Sequence, residues 1–249
     1  MHTTSDKNNT SFWGRIPVVQ AVHELDRAPR SFLWFVVFNV VGWQCVLGPM
    51  LVLFARRIEM PASWVGKLLS FMPLSMILVL GTVHIVSRVG SKRIMFAAWL
   101  TRNLIACGVF LTPWALHAWG PRAAWYVLMG TTLGFCIARA VGAGGWWPWL
   151  HELVPINQRG LYFSAETMVA HVVAVVVLGT QALILLNTQA LERYLSIYAI
   201  GIVAGFISLA YIVRIPGGRG ASEEQAHPES FASYFRALSD LPYLRFLVI

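Results

Sequence analysis

Charge is what this sequence has least of. Only 12% of its 249 residues are charged, where soluble domains carry about 25%. That excludes an ordinary soluble globular domain. With 57% hydrophobic residues and a mean hydropathy of +0.62, the chain belongs to the membrane class. Cysteine is scarce too. Cys45, Cys107 and Cys136 each lie inside an apolar run and none has CxxC spacing, so no disulfide framework and no metal site is expected. Enzyme signatures are missing. His23-Glu24 and His151-Glu152 lack the second histidine of H-E-x-x-H, because Arg27 and Pro155 stand there. No G-x-S-x-G occurs, and the Gly66-Lys67 pair has Pro61 where a phosphate loop needs its first glycine. The chain is therefore expected not to be an enzyme and to need no cofactor. The first 30 residues contain no apolar stretch of the kind a secretory signal requires. Acids are fewer than bases, 11 against 19, giving a net charge of +8. Those cations sit between apolar runs and form no single patch. They read as a topology signal, and no nucleic acid is expected as partner.

What the sequence has is apolar runs, six of them, each near the roughly 20 residues that span a bilayer. They lie at Ser31–Phe54, Leu68–Val86, Ile94–Trp114, Ala123–Gly145, Leu161–Leu186 and Tyr194–Val213. The predicted fold class is an all-α membrane protein of six transmembrane helices. A polar segment, 1–30, precedes the bundle of 31–213. A Gly-, Ser- and Glu-rich linker follows at 214–240, and Leu241–Ile249 begins a further, incomplete apolar run. With the N-terminus inside, twelve lysines and arginines fall on inside segments and five on outside loops, while Arg102 and Arg139 lie within spans. That asymmetry places the N-terminus and the linker in the cytosol, with the chain integral to the cell (inner) membrane.

Polar groups inside the spans are the candidate site residues. Arg139 lies six residues before Gly145, roughly 9 Å inside the cytosolic boundary. An arginine there needs a partner or water. Glu166 in the fifth run has a similar expected depth and is the leading partner. The open alternatives are a transport role and a structural ion pair. Arg102 in the third run either shares such a role or snorkels to the cytosolic surface. His171 shares a face with Ser164 and Thr167 and fits either a proton relay or a hydrogen bond to a neighbouring helix. Asn39, Trp43 and Gln44 in the first run suit substrate orientation and interhelical hydrogen bonds equally. Gly130, Gly134, Ala138 and Gly142 form a small-residue stripe, and Gly201 and Gly205 repeat it, which marks packing seams.

Between the second and third runs stands Val83-His84-Ile85-Val86-Ser87-Arg88-Val89-Gly90-Ser91-Lys92-Arg93. It resembles the signature loop of the major facilitator superfamily, G-x-L-a-D-R-x-G-R-K/R. Ile85, Val86, Arg88, Gly90 and Lys92 fall on the pattern. Val83 replaces its first glycine, Ser87 its acid and Ser91 the first cation after the glycine. Leu133 to Gly145 partly resembles the fourth-helix pattern R-x-x-Q-G-x-G of proton-coupled members: Arg139 and Gly145 match, while Gly142 and Ala143 depart. Val154-Pro155 with Arg159-Gly160 and Tyr162 resembles the next cytosolic loop. The resemblance implies the N-terminal six-helix half of a secondary transporter, built from two inverted three-helix repeats. It implies a small-molecule substrate, alternating access, membrane lipid around it, and a C-terminal half or a second copy of this chain as partner. Ser87, Arg88, Gly90, Lys92 and Arg93 would form a cytosolic latch, weakened by the missing acid at Ser87. The rivals are a self-contained six-helix channel or membrane scaffold, and an intramembrane enzyme. The second would need more acids within the spans than this sequence has.

Overall fold

The computed structural model describes residues 25–186 and 190–219, and within them every regular element is helical. Six helical spans are long and apolar enough to cross a membrane. Span one is α1 (Arg27–Val46) with α2 (Pro49–Arg57). Span two is α3 (Ala62–Ser75) with α4 (Leu78–Val89). Span three is α5 (Ser91–Ala106), a 3₁₀ turn at Cys107–Leu111, and α6 (Thr112–Trp119). Spans four to six are single helices: α7 (Pro121–Leu153), α8 (Arg159–Leu185) and α9 (Leu191–Arg214). Six such helices make this an integral membrane protein. Most of the polar segment 1–30, most of the linker and the apolar run Leu241–Ile249 lie outside the described residues.

The first three spans are broken, and proline accounts for each break. Pro49 has no N–H to continue the helix, so α1 stops, Gly48 is extended, and Pro49 starts α2 at its first turn. Pro73 lies inside α3, which ends two residues later and resumes at Leu78. Pro113 sits in the first turn of α6, beyond the tightened Cys107–Leu111 turn.

Two connections differ from expectation. The basic stretch between spans two and three is mostly helix and not loop. Helix runs through Ser87 and Arg88, and the turn is Gly90 alone, at φ +96°. That backbone region suits only glycine. The stretch Trp146–Leu153 is likewise helix and not loop, because α7 continues eight residues past Gly145. It stops where Pro155 forces Val154 into an extended conformation.

The most extensive packings join α1 to α9 and α5 to α7. Small residues set both. A Cβ on Gly142 would overlap the Trp99 ring, and one on Gly134 would press on Ile105. A Cβ on Gly201 would overlap Cys45, and one on Gly42 would sit 3.1 Å from the Gly201 carbonyl. Gly130, the first of the predicted stripe, meets nothing within 4 Å. Spans one and five, two and four, and three and six complete the main contacts. Aromatic rings gather at both ends of the bundle, as at membrane interfaces. Trp64, Trp125 and Tyr126 cluster at one end. Phe32, Trp146 and Trp149 cluster at the other.

Candidate functional site

Two apolar cores fill the bundle. One is built around Met50, Phe54 and Tyr198, the other around Phe32, Phe35 and Trp149. Between them lies a layer of polar groups. Arg102 is its centre. It stands eleven residues into α5, roughly 17 Å from the helix start and near mid-depth of a core about 30 Å thick. Only 1% of it is exposed.

The guanidinium is held by neutral groups. Arg102 Nη1 donates to Asn39 Oδ1 at 3.1 Å, and Trp99 Nε1 donates to the same oxygen at 2.9 Å. The cation lies 4.6 Å over the Trp99 ring and 5.1 Å over the Phe135 ring, so two π-faces offset part of its desolvation. Arg102 Nε, Asn103 Nδ2 and Trp43 Nε1 are buried without a hydrogen-bond partner. Asn103 lies against Gly205, where a Cβ would overlap its amide. Arg102 does not snorkel. Its position on α5 faces α1 and α7, so the side chain runs into the bundle instead of along it. Asn39 is thus an interhelical hydrogen-bond acceptor for a buried cation.

Arg139 is half-buried on α7, and its Nη1 lies 3.7 Å from Met76 Sδ, at the break between α3 and α4. The expected pairing with Glu166 is not formed. Their depths differ for a simple reason. Because α7 runs on to Leu153, Arg139 is roughly 21 Å from that end, whereas Glu166 is roughly 10 Å into α8. Glu166 is half-buried and forms no ion pair among the described residues.

Gln44 is half-buried, with its side chain folded back towards Gly48. Its carbonyl accepts from Gln181 Nε2 at 3.3 Å, and the same nitrogen lies 3.5 Å from Cys45 Sγ. His171 is exposed, and its Nδ1 is 2.7 Å from the Thr167 carbonyl of its own helix. It therefore reaches no neighbouring helix. Ser164 and Thr167 are exposed beside it, so this face of α8 points out of the bundle.

The basic turn acts as a staple. Lys92 Nζ donates to the carbonyls of Val213 at 2.9 Å and Ile215 at 2.5 Å, and Lys92 N donates to Gly218 O at 3.0 Å. Trp149 Nε1 donates to Pro216 O at 3.0 Å, and Gly218 N donates to Glu152 Oε2 at 2.9 Å. Thus the segment after α9 is tied to the start of α5 and the end of α7. Ser87, Arg88 and Arg93 are exposed.

Sequence reasoning passed over Asn103, Gln181 and Trp99. The signal was present for the first two, since any amide inside an apolar run must find a partner. Trp99 carried none, because a tryptophan in such a run reads as lipid-facing until its indole is seen on Asn39. No protein-family model, curated protein or solved structure matches the chain.

Proposed function

We propose that the chain forms one six-helix bundle of a secondary transporter of the major facilitator type. It would move a small solute by alternating access against a second six-helix bundle, with the segments before span one and after span six in the cytosol. The observation that carries the reading is the pairing scheme of the spans. Exchange span one with four, two with five, and three with six. The one–six packing then becomes four–three, one–five becomes four–two, and three–six returns to itself. A bundle of two inverted three-helix repeats would have that property.

Three further features support it. The first three spans are discontinuous, as helices around midplane sites of transporters often are. Arg102 and Arg139 are cations at membrane depth with no carboxylate partner among the described residues, which is the usual mark of a pathway group. Ser164, Thr167 and His171 form a polar, exposed stripe on a spanning helix. Lipid would leave that stripe unsatisfied; a water-filled path or a partner bundle would not.

Single cysteines at Ser164 and Thr167, in a chain whose three native cysteines are replaced, test this in native membranes. Both should react with an impermeant charged thiol reagent, while a control at Val203, an exposed residue of α9, should not. Unreactive probes at both positions would remove the water-filled transport path from this face.

A further inference from the structure

At the end of the bundle where α4, α5 and the segment after α9 meet, an open cleft of about 1030 Å³ is lined by Arg88, Lys92, Arg93 and Arg219. Its apolar wall includes Val89 and Phe96. No acid lines it. Glu152, beside the lining residue Gly218, accepts from its backbone N–H. The cations are set there by the fold. Gly90 turns the chain so that Arg88 and Arg93 come from two different helices onto one cleft. Lys92 is pinned by the Val213 and Ile215 carbonyls, and positive φ at Gly217 and Gly218 brings Arg219 to the rim. The start of α5 adds its own positive end. Four like charges around one cavity repel each other, and an anion there relieves that repulsion.

The cleft is two-sided in character. Val89 and Val213 line it and are 44% and 59% exposed on spanning helices. Its wall is therefore continuous with the surface that meets lipid. A free phosphate uses only the cations. A phospholipid uses both, with its phosphate among the arginines and its glycerol and acyl carbons along Val89, Phe96 and Val213. We propose that this cleft binds the phosphate headgroup of an anionic phospholipid. The inference rests on the membrane reading and is independent of the transport reading. Bound there, the lipid bridges the α4–α5 turn and the segment after α9, adding to the Lys92 staple.

The purified 249-residue chain in neutral detergent provides the test. Native mass spectrometry reads retained lipid, and thermal unfolding reads protection. Phosphatidylglycerol should be retained and raise Tm, phosphatidylcholine should do neither, and inorganic phosphate at the same concentration should give no protection. The triple variant Arg88→Gln/Arg93→Gln/Arg219→Gln should weaken phosphatidylglycerol binding on the order of a hundredfold, from about a factor of five per cation. These three side chains are exposed, so the fold should persist, and the triple Arg→Lys variant should restore binding. Two cations removed at the opposite end, Arg56→Gln/Arg122→Gln, should leave binding unchanged. Equal loss in that control would make the effect general electrostatics and overturn the site. Protection by inorganic phosphate alone would make it a soluble-anion site and overturn the lipid assignment. Equal retention of phosphatidylcholine would overturn it as well.

Discussion

A cation buried at mid-depth with one neutral acceptor is an expensive arrangement. Arg102 has Asn39 Oδ1, two ring faces and an unpartnered Nε. Replacing even a buried ion pair by apolar side chains of similar size is often neutral or stabilising by about 1–4 kcal/mol, and a buried cation with no carboxylate partner has less Coulombic attraction to lose. Arg102→Met should therefore leave Tm equal or higher while abolishing the proposed transport. A collapse of Tm would make the cation structural. Removing its acceptor has the opposite sign. Asn39→Leu leaves both Arg102 and Trp99 Nε1 without the shared oxygen and should cost about 2–3 kcal/mol. In the Arg102→Met background the same change should cost less, because only the indole is then orphaned. Equal costs in both backgrounds would mean that Asn39 and Arg102 do not couple. Residue types at this site were legible in the sequence, since any arginine or amide in an apolar run asks for a partner. Which partner was not legible. Arg102 and Arg139 look alike along the chain, and only the packing of α5 against α1 and α7 buries the first and leaves the second beside Met76.

Among the elements, the six spans were readable because hydropathy integrates over about 20 residues, and that signal survives errors at single positions. The breaks in spans one to three were not, since an average is blind to where Pro49, Pro73 and Pro113 interrupt the hydrogen-bond ladder. The run-on of α7 was missed for the same reason: Trp146–Leu153 carries tryptophans, a histidine and an acid, and looks like a loop until its helix is seen. Glycine spacing was a better guide, with one exception that makes a paired prediction. Gly130→Ala meets open space and replaces a helix-interior glycine, so it should stabilise by about 0.5–1 kcal/mol. Gly142→Ala drives a methyl into the Trp99 ring at the α5–α7 seam and should destabilise by about 1–3 kcal/mol. Thermal unfolding in one detergent compares the two. Shifts of the same sign would mean that the stripe does not govern this seam.

For the whole molecule, an even number of spans requires that the segments before α1 and after α9 lie on the same side of the membrane. The staple from Lys92 and Trp149 to residues 213–218 fits this, since it joins the α4–α5 turn, the end of α7 and the end of α9 at one end of the bundle. In the orientation we propose from the excess of lysine and arginine, that end faces the cytosol. The last helix provides the cleanest test. α9 has 24 residues, so its ends are roughly 36 Å apart, more than the hydrocarbon core. Glu192 and Arg219 are exposed beyond the two ends of its apolar stretch. In intact cells, an impermeant thiol reagent should label Glu192→Cys and leave Arg219→Cys untouched until the membrane is permeabilised. The reverse pattern would keep six spans and invert the bundle. Labelling of both in intact cells would mean that α9 does not cross, and the six-span architecture would fall with it.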